Sequence, residues 1–219
     1  MKNIFIFSKS LSSFLIILIA LGLVGTANSQ SQYESGMKNA FDLWTDAKPV
    51  EASALFERIA KAEKDNWVPY YYAAQTLITA SFESKDATLI NELLKKADTF
   101  IKEGEKISPD NSELVTLEGL LYTGYVAMDP QTYGMQYSDK INNLHSRAID
   151  LDENNSRAHL NKIEYSMGAA RFFGQDLSQF CGSIKETRSL FENQKPHGPF
   201  YPKWGEERVG VLLKQCNCD

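Results

Sequence analysis

The sequence predicts an all-α chain, a short solenoid of about four antiparallel helical hairpins closed by a C-terminal capping helix. Three observations carry that expectation. Beyond residue 30, apolar residues recur at i, i+3, i+4 and i+7, the spacing of one helix face. No run of alternating β-branched residues is bounded by hairpin turns, so strands find no support. Three segments, Arg58 to Asn66, Glu103 to Asn111 and Arg147 to Asn155, align without gaps, and their closing asparagines stand about 45 residues apart.

The first 29 residues read as a secretory signal and are set aside from the fold. Lys2 and Lys9 form a positive start, Leu11 to Val24 an apolar stretch, and Ala27 and Ser29 the small residues before a cleavage at Gln30. The alternative is a retained anchor, since Phe14 to Val24 is apolar. With the signal removed, 21 basic residues face 28 acidic ones. That balance argues against a nucleic-acid partner, which needs a concentrated basic face. No other segment approaches membrane-spanning length.

Helices are expected over 32–46, 49–64, 67–83, 86–107, 111–128, 134–151, 156–173, 176–193 and 204–216. Pro49 opens the second helix, where a missing N–H costs nothing. Asp86 and Asp176 stand where each can cap a helix N-terminus. Pro109 stops the fourth helix, and the Asp and Asn residues after it accept hydrogen bonds from the first N–H groups of the fifth. Small residues such as Gly104 and Ala148 let the two helices of a hairpin approach closely. Tyr70, Tyr71 and Tyr72 point 100° apart on a helix, so at least one should face a surface or groove. Residues 196–219 form an aromatic, proline-rich tail bearing Cys216 and Cys218. Its side chains are expected to fold over the apolar end of the stack, which a terminal repeat must cover.

These features resemble the tetratricopeptide-repeat family. Arg147 to Asn155 is similar to the end of one such unit and the start of the next, and Gly104 to Asn111 looks like a second copy that keeps the family's proline as Pro109. Tyr70, Ala73, Ala74 and Leu77 fit its first-helix pattern, and Gly119 with Tyr122 fits part of it. The resemblance covers residues 33 to about 195, within a repeat domain expected over 30–195, and implies a right-handed α-solenoid. This repeat is about ten residues longer than the family's, and Lys162 falls where an apolar residue belongs. On the family's register, Tyr71, Gln75, Thr116, Thr123, Arg157 and Glu164 would project into the concave face, where such solenoids hold a partner. The Pro202-Lys203-Trp204-Gly205 ending is similar to endings of exported bacterial proteins of this type.

Chemistry is sparse by comparison. The three histidines, His145, His159 and His197, belong to no metal-binding or catalytic motif. Cys181, Cys216 and Cys218 are disulfide candidates: in an oxidising compartment Cys181 could join one of the other two, closing a loop of about 35 residues. A zinc site from the cysteines and His197 is the alternative, against which stands the Cys-x-Cys spacing. The expected function is therefore non-catalytic: an exported scaffold, periplasmic or secreted, holding a protein or peptide on its concave face without cofactor or metal. Two other readings are a thiol enzyme using Cys181, Cys216 or Cys218 with His197, and a self-associating structural subunit.

Overall fold

The computed structural model describes residues 30–195 and 197–218, so the expected signal over 1–29 lies outside the described residues. Among these, the chain is all-α, with nine helices and one short 3-10 turn, and no strand. They are α1 (30–45), α2 (Pro49–Ala62), α3 (Val68–Glu83), α4 (Ala87–Ile107), α5 (Ser112–Met128), α6 (Pro130–Leu151), α7 (Ser156–Phe172), α8 (Cys181–Glu192) and α9 (Glu206–Gln215). Consecutive helices pack as hairpins. In addition α3 contacts α5 and α5 contacts α7, so these three form a continuous inner row, with α4 and α6 packed outside it.

Burial follows from that layering. α3 and α5 are covered on nearly every side and are apolar all round, as a helix enclosed by neighbours must be. α4 faces solvent on one side and keeps a single apolar stripe, Ile90, Leu93, Leu94, Ala97, Phe100, Ile101 and Gly104. Tyr71 and Tyr72 are consequently both buried, and Tyr70 packs near Phe100. Ala148 is fully buried, and a Cβ on Gly104 would stand 3.1 Å from Leu114 Cδ2, so both small residues sit at close helix approaches.

The caps are local and legible. Asp86, Asn111, Asp129 and Asn155 each accept hydrogen bonds from two backbone N–H groups at the start of the next helix. Asp129 with Pro130 starts α6 four residues before the apolar pattern does, because cap and proline suffice to begin a turn whose first residues are polar. Asp176 accepts from Ser178 N at 3.0 Å just ahead of the 3-10 turn Ser178–Phe180, whose N-cap position is Leu177. Helix α8 therefore begins at Cys181, five residues later than expected.

At the C-terminal end the expected capping helix is present, and it is the path of the aromatic tail that departs from expectation. The end of the stack is covered by α9, whose Val209 and Leu212 pack with Leu160 and Ile163 of α7 and Ile184 and Phe191 of α8. The disulfide joins Cys181 to Cys218, leaving Cys216 as a buried free thiol. With the end already closed, the aromatic segment 197–205 runs across the inner row of helices instead.

Candidate functional site

Segment 197–205, the strap, is held at both ends. Before it stands α8; after it, Gly205 turns into α9 at φ 110°, a left-handed conformation that glycine takes without strain. A Cβ there would meet Phe191 Cζ at 2.8 Å and Leu160 Cδ2 at 2.9 Å, so the turn is also pressed against α7 and α8. The Cys181–Cys218 disulfide fastens the far end of α9 to the start of α8.

Between these points the strap meets helix after helix. Phe200 packs edge-on against Tyr33 with ring centroids 5.5 Å apart and stacks on Phe41 at 6.1 Å. Tyr201 meets the edge of Trp67 at 5.9 Å, stacks on the His197 ring at 4.0 Å, and donates its hydroxyl toward Glu113 Oε1 at 3.5 Å. Trp204 donates its indole N–H to Tyr71 Oη at 2.7 Å.

Below Tyr201 lies a closed ion pair. Arg157 of α7 donates from Nε to Glu113 Oε2 at 2.9 Å and from Nη2 to Oε1 at 2.6 Å, and both side chains are 1 % exposed. Nη1 reaches Gln194 Oε1 at 3.4 Å. Burial alone would lower the guanidinium pKa, but the bonds and charge of Glu113 outweigh it and hold it above the usual arginine value. Burial also pushes the phenols of Tyr71, Tyr72 and Tyr201 up, so all three remain neutral hydroxyls.

Where the strap crosses α1 and α3, the surfaces leave a cavity of about 450 Å³. Phe41 and Trp44 line it from α1, Tyr72 and Gln75 from α3, and Phe200, Tyr201, Lys203 and Trp204 from the strap. Six of the eight side chains are aromatic, so the walls offer flat, polarizable faces with few polar groups. Lys203 supplies the one charge, and Gln75, 5 % exposed, has an Oε1 without a hydrogen-bond partner.

The six groove residues expected from the sequence divide between this face and other roles. Tyr71 and Arg157 touch the strap, and Gln75 lines the cavity. Thr116 is buried on α5, where its carbonyl accepts weakly from Asn161 Nδ2 at 3.5 Å. Thr123 bonds its own helix at Gly119 O, and Glu164 pairs with Arg208 of α9 at 2.5 Å. Phe41 and Trp44 had no sequence signal beyond being apolar, whereas the density of aromatics over 200–204 marked the strap without showing where it docks. The residues of the thiol reading are engaged apart: two cysteines share the disulfide, burial pushes the Cys216 thiol up, and the His197 ring lies on Tyr201. Among the described residues no group of three or more His, Cys, Asp or Glu is placed to hold a metal ion, and no helix is long and apolar enough to cross a membrane.

No family model matches the chain, so the tetratricopeptide resemblance rests on the repeat residues alone. No curated protein matches it either. Among solved structures it is similar to the HusA haemophore from Porphyromonas gingivalis, with a TM-score of 0.72 and 22% sequence identity over 84% of this chain and 92% of that one. At that identity the likeness is one of fold.

Proposed function

We propose that this chain is an exported, non-catalytic binding protein that holds a flat, largely apolar ligand of the porphyrin class in the cavity beneath its C-terminal strap. The observation that carries the reading is the wall of six aromatic side chains, two from α1, one from α3 and three from the strap. A flat ring system stacked among them gains dispersion and removes apolar surface from water at about 25 cal/mol per Å². The cavity volume falls in the range of small-molecule sites, roughly 300 to 1,000 Å³. The fold shared with a haemophore favours the same class of ligand. Tyr72 and Tyr201 contribute ring faces to that wall, so stacking is the contact the cavity offers such a ligand.

Titration with protoporphyrin IX tests this. Trp44 and Trp204 line the cavity, so saturable quenching of tryptophan fluorescence with a shifted porphyrin absorption band is expected. Linear, unsaturated quenching up to about 100 μM, near the weak end of specific binding, would refute it.

The protein- or peptide-binding reading has one observation in its favour. The strap is itself a proline- and aromatic-rich segment seated across α1, α3, α5 and α7, so this face accepts such a chain. A peptide partner would have to displace it, and a Tyr201→Ala, Trp204→Ala variant should then bind that partner more tightly than the parent.

A further inference from the structure

We propose that a second cavity, lined by no residue of the strap, binds an aliphatic chain that ends in an ammonium group. It encloses about 440 Å³ where the α1–α2 turn meets the end of α3 and the start of α4. That volume falls in the small-molecule range, roughly 300 to 1,000 Å³. Trp44 is the one ring of its wall, and Ala47, Pro49, Val50, Ala80, Leu89 and Leu93 supply the other apolar contacts. Small and branched aliphatic side chains suit a flexible alkyl chain that follows their contour, and a flat ring system finds only one stacking partner among them. Val50 and Leu89 are 54 % and 42 % exposed, so apolar surface at the rim stays in water until a ligand covers it.

The charge of the polar group follows from the helix ends around the cavity. Two of the three are closed. At the end of α1, Ala47 N donates to Trp44 O and Lys48 N to Leu43 O, both at 3.0 Å. At the start of α4, the Asp86 carboxylate accepts from Thr88 N and Leu89 N. The end of α3 is open: its last turn holds no basic residue, and among the described residues no backbone N–H from beyond the helix returns to its last carbonyls. Those carbonyls carry the negative end of the helix dipole, which favours a cation. Glu83, the last residue of α3, adds a full negative charge there. It lines the cavity, is exposed, and has no ion-pair partner among the described residues. Lys85, two residues on, is exposed and is not part of the wall. Thr79 and Ser84 add hydroxyls, and Trp44 adds an indole, the ring that attracts an ammonium best. A carboxylate in this place would meet both Glu83 and the helix end with like sign.

The experiment titrates the full chain with n-octylammonium, n-octanol and octanoate, which share one chain and differ in charge, and reads dissociation constants by calorimetry. The parent should bind octylammonium at least about fivefold more tightly than octanol, a modest ion-pair and dipole contribution, and octanoate more weakly than octanol. Glu83→Gln should bring octylammonium close to octanol while leaving octanol unchanged. Ala80→Phe fills the cavity and should abolish binding of all three. Val50→Arg, at an exposed rim position that does not disturb the core, should weaken octylammonium more than octanol, which keeps the location testable if Ala80→Phe lowers the melting midpoint. Octanoate binding as tightly as octylammonium, or an unaltered ranking in Glu83→Gln, overturns the cation assignment. Unchanged octylammonium binding in both Ala80→Phe and Val50→Arg overturns the location. No saturable binding of any probe by the parent up to about 5 mM, beyond the weak end of specific binding, overturns the site altogether. None of these outcomes depends on the porphyrin-class reading of the strap cavity.

Discussion

The indole N–H of Trp204 donates to the phenolic oxygen of Tyr71 at 2.7 Å, joining two residues 133 positions apart. Tyr71 is fully buried on α3, so the bond ties the strap to the centre of the inner helical row. Trp204→Phe keeps most of the apolar contact and removes the donor. Stability should fall by about 1 kcal/mol, with a drop of a few degrees in melting midpoint by calorimetry. Ligand affinity should fall with it, because the strap carries half of the cavity wall.

Arg157 and Glu113 form a pair from which water is excluded. Arg157→Met strands the Glu113 carboxylate in the interior and should cost about 3 to 5 kcal/mol. The double variant Arg157→Met, Glu113→Leu should recover most of that loss, since no charge is then left buried. Urea denaturation of the three proteins checks this; a double variant no more stable than the single one would show that the pair orders the strap beyond its own charge balance.

His145 predicts a dependence on pH. Its ring is buried against Gly119, both nitrogens lack partners, and burial, with a smaller contribution from Lys162, pushes its pKa down to about 4. The unfolded chain, with an ordinary histidine near 6.5, therefore binds more protons than the folded one between these values. Stability from neutral His145 is complete above about pH 6.5 and is lost as the pH falls toward 4. Between pH 7 and pH 5 the loss should be about 2 kcal/mol, measured by urea denaturation at each pH. His145→Leu should flatten that slope.

The disulfide bridges residues 37 positions apart, so its reduction should cost about 3 to 4 kcal/mol in the loop-entropy model. The loss should centre on α8, α9 and the strap, which hydrogen exchange can compare with α4. In the folded, oxidised protein Cys216 should resist alkylation, and one thiol should appear on unfolding.

Gly205→Ala should destabilise by about 1 to 3 kcal/mol, because the added Cβ strains a positive φ and enters space held by Phe191 and Leu160. A loosened strap should raise the rate of ligand release in stopped-flow measurements more than it alters entry.

Several features were open to sequence reasoning because their causes are local. Asp86, Asn111 and Asn155 cap helices through atoms two or three residues away, and Pro49 starts a helix by its own φ. Small residues at Gly104 and Ala148 announced close helix approach, and apolar periodicity announced the helices themselves. Asp176 was read a few residues out of place, because a cap signal does not say whether a 3-10 turn or an α-helix follows. Of the site, Tyr71, Gln75 and Arg157 emerged from the repeat register. Thr123 and Glu164 came from the same register yet serve other contacts, since the register states direction without naming what lies there.

The sequence by itself determined an all-α chain, its helix boundaries to within a few residues, and the concentration of aromatics and cysteines near its C-terminus. Tertiary structure decided where those aromatics go. Phe200 lies against Tyr33, Tyr201 against Glu113, and Trp204 against Tyr71, contacts across 88 or more positions that no local pattern encodes. The reason is physical: α9 already covers the end of the stack, and the strap's rings find aromatic partners in Tyr33, Phe41 and Trp67 instead. The strap settled there, and the cavity is the space its rings leave beside those of α1 and α3.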